Sequence, residues 1–122
     1  SYTGNALACA AANASLDLFE IEETIKNIKR IEKQQAQFVN SIKNNSKIRD
    51  ARSFGAIAAI ELEVDGESNY FNTKGNDAYE WFLDKGIVMR PLGNILIMIP
   101  PYCIKEEDLE YIFEAIQHYL KL

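Results

Sequence analysis

The run IVMRPLGNILIMIPPYCI at 87–104 constrains the fold more than any other stretch of the chain. Its apolar residues resemble those of buried strands, but Pro91 cannot donate to a ladder, so a strand entering it must stop there or lie exposed. The apolar stretch at 95–101 is far shorter than the roughly 20 residues needed to cross a bilayer, and Pro100 and Pro101 close it. The run is therefore expected to form two short strands, 87–89 and 95–99. They are joined through Arg90, Pro91, Leu92, Gly93 and Asn94, with one permanently charged guanidinium at the joint.

Helical spacing surrounds this pair. Residues 5–19 are rich in alanine and carry Leu7, Ala11, Ala14 and Leu18 three and four apart, which predicts a closely packed helix with Gly4 and Asn5 at its cap. From Glu22 to about Asn44, Ile21, Ile25, Ile28, Ile31, Phe38 and Ile42 form an apolar stripe, while Lys26, Lys29, Lys33 and Gln37 fill the opposite face. Glu22 and Glu23 suit the positive start of this helix and Lys43 its negative end. Residues 48–64 change to near two-residue alternation, interrupted by Gly55, and read as two short strands or one strongly bent strand. Helical spacing returns over 76–85, with Gly86 placed to end the helix in the left-handed conformation. A last helix is expected over 106–120. The order of elements predicts an α+β domain with a small, mainly antiparallel sheet covered by helices.

Length and charge narrow the function. The 122 residues fit one domain, with a core but little room for a large cofactor site as well. A formal charge of -5 lacks the clustered Lys and Arg of a nucleic-acid face. With no signal-peptide pattern and no candidate span, a cytoplasmic protein is expected, binding neither nucleic acid nor membrane. Cys9 and Cys103 fit no metal-ligand spacing and are expected to be buried, reduced thiols. No phosphate loop or nucleophile elbow is present. The lone His118 is expected on the surface, and Glu106, Glu107 and Asp108 suit a helix start. Trp81, Tyr79 and Phe82 read as core and domain contacts. Arg90 is the exception: held at a strand end beside Pro and a Gly-containing turn, its guanidinium either forms an internal ion pair or offers a planar fork to a bound carboxylate.

Three stretches carry a likeness to known proteins: SYTGNALACAAANASL at 1–16, RSFGAIAAIEL at 52–62 and IVMRPLGNILIMIPPYCIKEEDL at 87–109. With them the chain resembles the C-terminal part of the class III, fold-type I pyridoxal-phosphate aminotransferases, and the third stretch is most similar to their biotin-pathway branch. The resemblance implies a C-terminal domain fragment at 1–122, with an interdomain and interface helix region at 1–19 and a small domain at 20–122. It also implies a large cofactor-binding domain before Ser1 that carries the Schiff-base lysine, so this piece alone is expected to be inactive and to bind no pyridoxal phosphate. By position, Arg90 resembles the arginine that pairs with the carboxylate of 8-amino-7-oxononanoate, the acceptor of an amino group from S-adenosylmethionine. Ser1 stands at the Ser/Thr position that reaches the cofactor phosphate of the neighbouring subunit in a homodimer, a role that helix-start amides behind a small hydroxyl suit. Two departures stand out. Ile97 occupies a position often held by Tyr near the substrate, and Lys105 replaces the usual Ser or Thr cap. Outside the biotin branch, the alternatives are another class III ω-aminotransferase or a stand-alone interaction domain without a cofactor.

Overall fold

The computed structural model describes residues 3–121. The elements run α1 (Ala6–Ile21), α2 (Thr24–Ile42), β1 (Ile48–Phe54), β2 (Ile57–Leu62), α3 (Lys74–Leu83), β3 (Ile95–Met98) and α4 (Glu106–Tyr119). The strands form one antiparallel sheet in the order β1-β2-β3. The α+β expectation holds.

The hairpin between β1 and β2 turns on two residues, Gly55 and Ala56, with Phe54 paired to Ile57. Gly55 has φ +55, which a Gly-first hairpin turn uses to match the twist of its strands. On β2, Ala58, Ile60 and Leu62 face inward at two-residue spacing. The register sets Met98 opposite Ala58 and Leu96 opposite Ile60. Phe38, Val39 and Ile42 of α2, Ala78 and Phe82 of α3, and Ala115 and Ile116 of α4 complete this core. Phe38 and Phe113 stack with ring centroids 4.2 Å apart, joining α2 to α4. A smaller cluster of Ile31, Ala56 and Leu109 lies under the hairpin tip. Arg30 Nη2 donates to the Ile104 carbonyl at 2.5 Å and Gln34 Nε2 to Glu106 Oε1 at 3.1 Å, which pins α2 to the entrance of α4.

Three expectations are corrected. Asn5 caps α1, its Oδ1 accepting from the Ala8 amide at 2.9 Å, but no residue of α1 is buried, because the alanine-rich helix has no partner over most of its length within the chain. Residues 87–89 keep the alternation of a strand, with Ile87 and Met89 buried and Val88 exposed, yet they join no ladder. Side-chain alternation reports burial on one side; it does not supply a hydrogen-bonding neighbour. Cys9 and Cys103 are free but exposed, since Cys9 lies on the uncovered helix and Cys103 in the loop before α4.

The stripe of α2 also ends differently from its spacing. Ile25 is exposed, and the buried set is Thr24, Ile31, Gln35, Phe38, Val39 and Ile42. The helix starts at Thr24, behind an N-cap Glu23 whose φ of 49 is left-handed, so Glu22 and Glu23 lie outside its first turn. Gln35 is fully buried and neither its Nε2 nor its Oε1 has a hydrogen-bond partner. An unsatisfied buried polar group costs about 1–3 kcal/mol, and an apolar group of similar shape removes that cost. Gln35→Met is therefore expected to stabilise the fold by about 1 kcal/mol, read as a higher denaturant midpoint with unchanged slope.

Candidate functional site

Arg90 stands at the rim of a cleft of about 530 Å³ whose walls include Tyr70, Phe71, Tyr79, Val88 and Leu92. The side chain is exposed, and among the described residues it has no ion pair or hydrogen-bond partner. The arginines of the sheet contrast with it: Arg49 Nη2 lies 2.7 Å from Glu63 Oε1, and Arg52 pairs with Asp50. Of the two readings left open by the sequence, the internal ion pair is not formed. A guanidinium without an internal partner at the mouth of such a cleft can take a planar anion in bidentate fashion.

The backbone beneath it is braced from several sides. Pro91 disfavours helical geometry at Arg90. Leu92 and Ile95 exchange backbone hydrogen bonds at 2.9 and 3.0 Å, closing the turn that carries Gly93 and Asn94. Asn94, almost fully buried, donates Nδ2 to the Leu62 carbonyl at 2.8 Å, while its own carbonyl accepts from the Leu62 amide at 2.9 Å. Ser68 Oγ lies 3.0 Å from Asn94 Oδ1 and 2.5 Å from Glu61 Oε1, so the loop before α3 is tied to the same asparagine. Gly93 has φ +58, and a Cβ there would overlap the Asn69 carbonyl oxygen. On the other side, a Cβ on Gly75 would overlap the Gly93 carbonyl oxygen and come within 2.9 Å of Pro91 Cβ. Gly75 lies in the first turn of α3, and nothing in the spacing of apolar residues marks it.

The second groove, about 480 Å³, runs between 86–89, the 97–101 segment and α4. Ile97 lines it, with Met89, Pro101, Ile104 and Tyr111 among its neighbours. Asp108 and Tyr111 are the titratable groups of its lining, and the Tyr111 hydroxyl donates to the Lys85 carbonyl at 3.1 Å. His118 is exposed, edge-on to Trp81 at 5.7 Å, and Lys85 sits 3.8 Å from the centre of the Trp81 ring. Lys105 stands at the start of α4 without a side-chain cap. Among the described residues there is no cluster of His, Cys, Asp and Glu able to hold a metal ion, and no helix is long and apolar enough to cross a membrane. Ser1, the expected phosphate contact, lies outside the described residues.

Among the described residues three titrations are displaced. The hydrogen bond from Arg49 holds the Glu63 carboxyl below its ordinary range, and the reciprocal bond raises the Arg49 guanidinium. Because the folded Glu63 value is depressed, the pair favours the fold above the unfolded carboxylate pKa, and that contribution fades as the pH falls through the folded value. Both groups are solvent-exposed, so the contribution is screened. Burial, then the nearby Asp77 charge, pushes the Tyr119 phenol up.

A three-stranded antiparallel sheet covered by helices in this order is matched in solved transaminase structures. Over 93% of this chain and 28% of the other, the ω-transferase from Vibrio fluvialis JS17 superposes with a TM-score of 0.82 at 21% identity, a likeness of fold. The crystal structure of adenosylmethionine-8-amino-7-oxononanoate aminotransferase from Methanocaldococcus jannaschii superposes with a TM-score of 0.87 at 36% identity, over 99% of this chain and 28% of that one. The aminotransferase class-III family matches residues 1–120, and the chain belongs to that family.

Among curated relatives, the M. jannaschii adenosylmethionine-8-amino-7-oxononanoate aminotransferase is 37% identical over 99% of this chain and 27% of its own length. The protein of that name from Synechococcus elongatus is 35% identical over 95% of this chain and 27% of its own. The chain thus spans about a quarter of the length of the curated relatives it matches.

Proposed function

We propose that residues 1–122 form the C-terminal small domain of a pyridoxal-phosphate transaminase that transfers the amino group of S-adenosylmethionine to 8-amino-7-oxononanoate, giving 7,8-diaminononanoate. The observation that carries this reading is the unpaired Arg90 guanidinium, presented by a braced turn at the edge of a cleft that combines Tyr70, Phe71 and Tyr79 with Asn72, Thr73 and Asn76. The acceptor joins a carboxylate to an aliphatic chain whose far end carries the ketone. Arg90 would fix the carboxylate by two parallel N–H···O bonds, and the direction of the chain from that anchor would decide where the ketone arrives. The names of the curated relatives support the same substrate pair.

When bound, pyridoxal phosphate supplies the electron sink and carries the amino group between the two substrates. The clefts described above do not suit it. No lysine lines either of the two larger ones, so neither places a Schiff-base amine beside Arg90. We assign the cofactor to a large domain elsewhere in the enzyme, with Ser1 reaching the phosphate across the interface of a homodimer. The exposed Leu7, Leu16 and Leu18 of α1 support an interdomain or subunit-interface role for 1–19. A cytoplasmic location goes with this soluble chemistry.

The amino donor tests the assignment. The full-length enzyme is expected to convert 8-amino-7-oxononanoate with S-adenosylmethionine and to show no comparable rate with alanine or a diamine. Turnover with those donors and none with S-adenosylmethionine would place it among the other class III ω-aminotransferases.

A further inference from the structure

We propose that Gly75 is a positioning residue for Arg90, acting through the turn on which the arginine stands; the inference rests on the carboxylate-anchoring reading of Arg90. The turn is wedged between two backbones. On one side Gly93 lies so close to the Asn69 carbonyl that no side chain fits, and on the other the first turn of α3 meets the Gly93 carbonyl and the Pro91 ring at the vacant face of Gly75. Both obstacles are backbone or ring atoms, which cannot swing aside as the end of a flexible side chain can. Pro91 is bonded directly to Arg90, so its seat against Gly75 sets the direction in which the Arg90 side chain leaves the chain.

The start of α3 is itself fixed. Asn72 Oδ1 accepts from the Lys74 amide at 2.9 Å, and Ala78 and Phe82, on the same face as Gly75, are fully buried. With the helix start fixed in this way, a methyl group at position 75 bears on the 91–93 turn, which has no room to retreat past the Asn69 carbonyl and must distort. A misplacement of about 1 Å at a positioning group can cost on the order of 100-fold in rate. The turn leads into β3 and is bonded to β2 through Asn94, so some loss of stability accompanies the loss in acceptor binding, and the dependence on Arg90 separates the two.

The test is a double-mutant cycle in the full-length holoenzyme, read by the half-reaction with 8-amino-7-oxononanoate. Gly75→Ala is expected to lower kcat/KM for this acceptor by about 10- to 100-fold, mainly through KM. In an Arg90→Ala background the same change is expected to have almost no further effect, because the group it positions is gone. Ile31→Val, in the separate cluster under the hairpin, controls for lost stability and should leave the acceptor KM unchanged. Pro91→Ala, a milder change at the same seat, should show the same dependence on Arg90 if Gly75→Ala folds poorly. Effects of Gly75→Ala and Pro91→Ala that multiply with that of Arg90→Ala, or that are absent while Arg90→Ala is strongly impaired, would overturn the positioning role alone. An Arg90→Ala enzyme with normal acceptor kinetics would instead remove the reading on which it rests.

Discussion

Arg90→Ala in the full-length enzyme is expected to lower kcat/KM for 8-amino-7-oxononanoate by about 30- to 1000-fold, with most of the change in KM. The estimate follows from the cost of truncating one member of a hydrogen-bonded charge pair, about 2–4 kcal/mol once the site is closed around the ligand. A bond made equally in ground and transition states affects KM more than kcat, and a carboxylate far from the reacting ketone is bonded in this way. Arg90→Lys should recover only part of the loss, because an ammonium retains the charge but not the planar fork. The half-reaction with S-adenosylmethionine should change far less, since the donor's carboxylate adjoins its reacting amine instead of terminating a long chain. Unchanged kcat/KM for the acceptor in Arg90→Ala would exclude the anchoring role.

Arg90 itself was legible in the sequence; its partnership was not. A lone guanidinium between two apolar runs, followed by Pro and Gly, is conspicuous, but 18 acidic residues leave ample opportunity for an internal partner. Only the fold separates Arg90 from those carboxylates, by turning it onto the rim of a cleft while Arg49 and Arg52 take acidic partners on the sheet. Gly75 was silent for a related reason. A glycine near a helix start is common, and its closeness to Pro91 and Gly93 is a contact between elements some sixteen residues apart along the chain.

The elements were legible where one local rule sufficed. Asn5 marks its cap, Gly86, at φ +73, the end of α3, and Gly55 the break at 48–64, where the structure resolves the choice between two strands and one bent strand in favour of two. Periodicity misled where the outcome depended on a neighbour. Segment 87–89 alternates without a ladder, and α1 has an apolar stripe without a cover. Gln35 escaped notice for the opposite reason, because polarity in a helix reads as a solvated face even when the spacing places it beside Ile31 and Phe38.

Phe82→Ala is expected to destabilise the domain by about 3–5 kcal/mol, the largest stability effect of any substitution considered. Phe82 is fully buried, packs edge-on to Trp81 at 4.9 Å and lies 5.4 Å from Tyr119, so its ring holds α3 against both the sheet core and α4. The surrounding strands and helices can close only part of the cavity, and the residual void adds to the lost transfer energy. Denaturant unfolding should show a much lower midpoint. Because Gly75 and Phe82 share the inward face of one helix, the two substitutions separate what that face does: at its far end it supplies stability, and at its first turn it sets the seat of the 91–93 turn. Gly75→Ala should therefore disturb acceptor binding at an overpacking cost of about 1–3 kcal/mol, whereas the main loss in Phe82→Ala should be in folding. A Phe82→Ala domain that unfolds at the same denaturant concentration as the parent would mean that α3 is not anchored through this ring, and the rigid support inferred for the turn beneath Arg90 would lose its basis.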